Sequence, residues 1–165
     1  MRVYPVRVAC TLIFTLLCFV FCHGQEAQPA ALPGSEYSGM YSFLRDGEYV
    51  QVTVEEKGKV SGFVSRYGDS ESDRGAFLDQ FFKQGQLDGV KLTFTTVVVH
   101  GVWFDFKGTV EKVEGKKSGE EGAYVLKGTL VEYSTDAAQK TTSRSREVAL
   151  KSFPQDLSSA PAEKD

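Results

Sequence analysis

Val102-Trp103-Phe104-Asp105-Phe106-Lys107-Gly108-Thr109-Val110 is the stretch on which the fold turns. Val102, Phe104 and Phe106 alternate with Trp103, Asp105 and Lys107, and in an extended chain successive side chains point to opposite faces. The same period of two runs through Val50, Val52 and Val54 against Tyr49, Gln51 and Thr53. Both are half-buried strands. Twenty residues on from Phe106-Lys107-Gly108-Thr109-Val110 comes an imperfect repeat, Leu126-Lys127-Gly128-Thr129-Leu130. Each copy puts a glycine on the face of the large apolar residues, and Gly62 falls similarly between Val60 and Val64. A mid-strand glycine lets a sheet bend sharply or admits a large neighbour, and bending toward closure is the preferred reading.

Proline marks the ends of the domain. Pro29 and Pro33 precede it, Pro154 and Pro161 follow it, and none occurs from Gly34 to Phe153, as hydrogen-bonded strands require. Strands are expected near Tyr37–Leu44, Glu48–Glu56, Lys59–Tyr67, Val90–Val99, Val102–Glu114, Ala123–Ser134 and Ser145–Phe153. Asp46-Gly47 and Lys57-Gly58 supply the positive φ of tight hairpins, so neighbours should run antiparallel. One segment departs from this pattern. In Arg74–Gln84, Phe77 with Phe81 and Leu78 with Phe82 stand four apart, Asp73 is placed to cap a helix start and Gly85 to end it. The expected fold is all-β: an antiparallel up-and-down meander of about seven or eight strands closed into a small barrel, with one short amphipathic helix inserted after the third strand. That helix would cover one open end of the barrel.

Residues 1–24 read as a secretory signal. Arg2 and Arg7 give a positive start, Val8 to Cys22 is an almost unbroken apolar run, and Cys22 and Gly24 are the small residues before a cut. An uncleaved anchor is the alternative, but the run falls short of the roughly 20 residues that span a bilayer. Lipidation at Cys18 or Cys22 would follow the bulky Leu17 or Phe21. Residues 25–35 read as a flexible tether, 36–153 as the barrel domain and 154–165 as a disordered tail. All three cysteines lie in the leader, so no disulfide would staple the exported chain and packing must hold it together. A secreted or periplasmic location follows, and the lack of disulfides tilts the source toward a bacterial envelope.

With 41% hydrophobic residues in a 165-residue chain, there is material for one domain with a true core. Removing Arg2 and Arg7 from 19 basic residues leaves 17 against 22 acidic ones, a net charge of −5 that disfavours nucleic acid or an anionic membrane as partner. Contact with a membrane is expected only through the signal segment.

The first hairpin resembles the opening of avidin and lipocalin-type barrels, which begin with a Gly-x-aromatic strand. Here that opening is Gly39-Met40-Tyr41, followed by Lys57-Gly58-Lys59-Val60-Ser61-Gly62 at the second turn. The resemblance spans about thirty residues, with Tyr41 in place of the usual tryptophan. It implies architecture and transfers no biotin or lipid site.

Several residues are candidates for chemistry. His100 is the only histidine after the leader, which excludes a multi-histidine zinc site within one chain. His100-Gly101 reads as a bend between strands or, alternatively, as a ligand contact. Asp69, Glu71 and Asp73 alternate in a loop and could aim three hard oxygens at Ca²⁺. No other cofactor is expected. An EF-hand would need its glycine one position before Gly75 and a glutamate where Gln80 stands, and the competing reading is a solvated loop. Trp103 and Asp105 share a face that either lines a ligand pocket or meets water. Tyr67 and the helix phenylalanines Phe77, Phe81 and Phe82 would sit beside the barrel opening, while Arg66 reads as a surface partner of Asp69 or Glu71. The function expected is a non-catalytic binding module for a small apolar ligand at the barrel interior or mouth, or for a partner protein. The alternatives are a structural envelope protein and a carboxylate-dependent hydrolase.

Overall fold

The computed structural model describes residues 32–155 apart from Ser70. The expected leader, the tether up to residue 31 and the tail from residue 156 lie outside the described residues. Eight strands follow one another: β1 (Gly39–Ser42), β2 (Tyr49–Val54), β3 (Val60–Tyr67), β4 (Phe77–Asp88), β5 (Lys91–Thr96), β6 (Val102–Lys112), β7 (Tyr124–Thr135) and β8 (Thr141–Lys151). Each pairs antiparallel with the next in one sheet of order β1 to β8, the up-and-down meander that the short glycine turns dictate. His100-Gly101 makes one of these turns. Both residues have positive φ, and Val99 and Val102 exchange backbone hydrogen bonds across them.

The helix expected over Arg74–Gln84 is not formed, and β4 occupies its place. A spacing of four fits a helical turn but is also a multiple of two, so Phe77 and Phe81 share a strand face just as well. Alternation was masked because the outward face of β4 carries Phe77, Asp79, Phe81 and Lys83, while the inward face carries the polar Gln80 between Leu78 and Phe82. Asp73 ends a 3-10 turn, Glu71–Asp73, instead of capping a helix. Gly85 sits within the strand, where an added Cβ would lie 2.4 Å from the Val60 carbonyl oxygen.

The sheet curls until its two edges meet at one end. Tyr41 and Ser152 form an isolated antiparallel bridge, and the Phe153 N–H donates to the Met40 carbonyl at 2.8 Å. β1 has four residues and β8 eleven, so this seam covers only the last part of β8. The edge from Thr141 to Ala149 pairs with no strand on its outer side among the described residues, and Ser143, Arg144, Ser145 and Glu147 keep it polar.

Gly108 and Gly128 face each other across β6 and β7, where a Cβ on Gly128 would come within 2.4 Å of the Gly108 Cα. The close approach leaves room for Phe106, whose ring would meet a Cβ on Gly108 at 2.7 Å. The glycines of the repeat therefore admit a large neighbour as the barrel closes. Inside, Val50, Val64, Leu92, Phe94, Phe104, Phe106, Leu126 and Leu130 are each 2% exposed or less, and Phe82 stacks on Phe94 with centroids 4.3 Å apart. The axis of the barrel is filled by its own side chains.

Candidate functional site

Polar chemistry gathers at the end of the barrel where the β1–β2 and β3–β4 connections approach the open stretch of β8. Its deepest member is Arg66. The residue follows Val60, Gly62 and Val64 on the inward face of β3, so the alternation that builds the core also delivers a guanidinium into it. Arg66 is 3% exposed. Its Nε donates to Gln80 Oε1 at 2.7 Å and its Nη1 to Asp69 Oδ2 at 2.8 Å and to the Tyr67 carbonyl at 3.0 Å. Gln80, fully buried, donates onward to the Val102 carbonyl at 2.7 Å. A buried charge is tolerated only when hydrogen-bonded in this way. Arg66 also lies over the Phe104 ring, 5.8 Å from its centroid.

Glu48 closes the β1–β2 turn. Its buried carboxylate accepts from Arg45 Nε at 2.8 Å and from the backbone N–H groups of Arg45 and Tyr67, each at 3.0 Å, tying the turn to the end of β3. Arg45 Nη2 also donates to Asp69 Oδ1 at 2.9 Å. Burial alone would lower the Arg45 pKa, but Glu48 and Asp69 beside it hold it above its ordinary value. Asp69 therefore bridges two guanidinium groups.

Across the opening, Arg146 of β8 donates to Glu132 of β7 at 2.5 Å; the pair is diagonal across the ladder, where Glu132 stands opposite Arg144 and Arg146 opposite Leu130. Together with Phe43, Leu44, Phe104 and Arg144, these residues line a cavity of about 230 Å³. Its floor is aromatic, with Phe43 edge-on to Phe104 at 5.2 Å. Its wall holds donors in excess. Arg146 Nε is buried without a hydrogen-bond partner, and Arg144 has no ion-pair partner among the described residues. The arrangement suits an acceptor-rich group entering from the open side.

The residues expected to form the site are dispersed. Trp103 and Asp105 point outward from β6, and Trp103 stacks on Tyr133 with centroids 4.8 Å apart and planes 5° from parallel. Asp105 lines a shallow groove on the barrel's outer wall with Gln84, Thr95 and Lys107, and its Oδ1 is buried without a partner. Phe77 and Phe81 are surface residues, 49% and 60% exposed, and Tyr67 packs against Phe77 with centroids 4.4 Å apart and the rings tilted by 34°. Phe82 alone of the expected lid turns into the core. His100 Nδ1 lies 2.6 Å from Asp73 Oδ2. Asp69 faces arginines rather than Glu71 and Asp73, and among the described residues no group of three or more His, Cys, Asp or Glu is gathered to hold a metal ion. Arg66 is buried in the mouth network and not at the surface, a placement its even spacing from Val60 and Val64 already encoded. Arg45, Glu48, Glu132, Arg144 and Arg146 carried no local signal, because only the tertiary fold brings them together.

No family model matches the chain, and no curated protein does. Among solved structures the fold is that of the avidin-like β-barrels. Rhizavidin aligns with a TM-score of 0.54 and 11% identity over 72% of this chain and 84% of that one. Its biotin complex gives 0.52 and 9% over 70% and 99%, and the apo form of intact afifavidin 0.55 and 11% over 78% and 93%. At such identities the likeness is one of fold.

Proposed function

We propose that this protein is a non-catalytic, exported binding module that holds a small anionic ligand, a carboxylate by preference, in the charged mouth of its barrel. The observation that carries the reading is the pair of guanidinium groups, Arg144 and Arg146, above the Phe43–Phe104 floor, with Arg144 outside any ion pair among the described residues. A carboxylate accepts two parallel N–H bonds from one guanidinium, and the exposed Arg144, which has no ion-pair partner among the described residues, can give them. The apolar part of such a ligand would rest on the floor, since the filled axis leaves an apolar molecule no place deeper in. Rhizavidin, solved with biotin, is a binding protein built on the same fold. Glu48, Asp69 and Glu132 each accept a hydrogen bond from an arginine, so among the described residues no pair of free carboxylates lines the cavity.

Export by the leader at residues 1–24 puts the mouth on the outer side of a membrane. The N-terminal residue of the protein released by its host tests that step. The ligand is tested by native mass spectrometry of the same material against its denatured mass. A discrete non-covalent adduct, lost in Arg144→Ala and Arg146→Ala, supports the reading. A bare polypeptide mass overturns it and favours a structural envelope protein, the reading with which the filled interior also agrees.

A further inference from the structure

The phenylalanines that fail to form a lid leave a surface that needs a partner. Four of the seven exposed large apolar side chains among the described residues, Phe77, Phe81, Val97 and Val98, gather on one side of the barrel. They are contiguous. Phe81 lies 5.5 Å from Phe63 across the β3–β4 ladder, and its carbonyl accepts the Val97 N–H at 2.8 Å, so an apolar row crosses three neighbouring segments. Scattered surface apolar residues are normal, but a connected, exposed aromatic face marks a contact surface. Around Gly85 the neighbouring wall is more polar, with Gln84, Gln86, Thr93, Thr95, Lys107 and Thr129, and the other outward aromatics, Trp103 and Tyr133, are stacked on each other.

The charges on this face specify what covers it. Asp79 precedes Phe81 by two residues and Lys83, at a bulge in β4, follows it by two, all exposed, so opposite charges flank the most exposed phenylalanine. A two-fold axis passing over Phe81 and normal to the face exchanges these positions. It sets each Asp79 against the Lys83 of the second copy, with Phe81 against Phe81 between them. Self-complementarity of this kind is the signature of an isologous contact, and two sheets stacked face to face at about 10 Å bring such side chains within reach. We propose that the outer face of β2–β4 is a homodimer interface, two copies of this chain packed across a two-fold axis at Phe81.

Sedimentation of the protein expressed from the full-length chain, run across micromolar concentrations, tests this. The expected result is a reversible dimer that becomes a monomer in Phe81→Asp, with the circular dichroism and melting curve of the parent retained. Asp79→Lys and Lys83→Asp should each weaken association about tenfold or more by opposing like charges, and the double variant Asp79→Lys/Lys83→Asp should recover it. That recovery separates a matched interface from general stickiness. A monomer at every concentration overturns the proposal, as does a dimer indifferent to Phe81→Asp or a double variant no better than its parents.

Discussion

The two ends of this barrel are built on opposite principles. At the sealed end, the chain entering β1 lies across the opening, with Gly34 at φ 81° and so close to Leu87 that a Cβ would meet it at 2.5 Å. Tyr37 packs edge-on to Tyr124 at 5.4 Å, the Tyr41 hydroxyl donates to the Tyr37 carbonyl at 2.6 Å, and the β1–β8 seam closes beside them. At the mouth, four arginines and three carboxylates stand where a core would continue. Apolar burial stabilises the first end without needing exact partners. The second holds two buried charges, Glu48 and Arg66, whose hydrogen bonds and ion pairs only offset the cost of desolvating them. That contrast is what the binding role proposed for the mouth requires.

The sharpest test of the contrast is Phe104→Ala, which empties the floor between core and mouth. A cost of about 3–5 kcal/mol is expected from denaturant unfolding, because the 2% exposed ring cannot be replaced by its neighbours. A loss below about 1 kcal/mol would mean the mouth is not seated on the core.

Arg66→Ala should cost about 1–3 kcal/mol by leaving the buried Gln80 Oε1 without its donor. Arg66→Met, which keeps most of the volume, should recover much of the packing while still losing any ligand adduct. If Met and Ala unfold alike, the network matters to the fold through its hydrogen bonds and not its bulk.

The sealed end should answer to alkali. Desolvation, with neighbouring Tyr124 and Tyr37 adding to it, raises the Tyr41 pKa, and desolvation with Glu36 raises that of Tyr37. Both phenols hold their protons in the folded state after the unfolded chain has begun to lose them. Their contribution is complete below the unfolded value of about 10 and declines as pH rises above it, by at most about 1.4 kcal/mol per pH unit for each group. Melting temperature measured from pH 8 to 11 should fall above pH 10, less steeply in Tyr41→Phe. An equal fall in that variant would place the titration elsewhere.

The smallest effect belongs to the polar wall. Lys127→Ala breaks an ion pair with Glu111 in which both side chains are about half exposed, and less than about 0.5 kcal/mol should separate it from the parent. A larger loss would show that the outer wall is not the passive surface it resembles.

Period-two alternation, proline-free strands and glycine turns in the sequence determined seven of the eight strands, their antiparallel order and the bend at His100. The meander follows from short connections, which leave adjacent strands no other partner. Even the buried position of Arg66 is written in its spacing from Val60 and Val64. Tertiary structure decided β4, because Phe77–Phe81 and Leu78–Phe82 satisfy both periods and only pairing with β3 and β5 selects the strand. It also decided the mouth. Arg45, Asp69, Glu132 and Arg146 come from four separate parts of the chain, and a charge network across a barrel depends on how far the sheet curls, a distance that no local pattern of residues encodes.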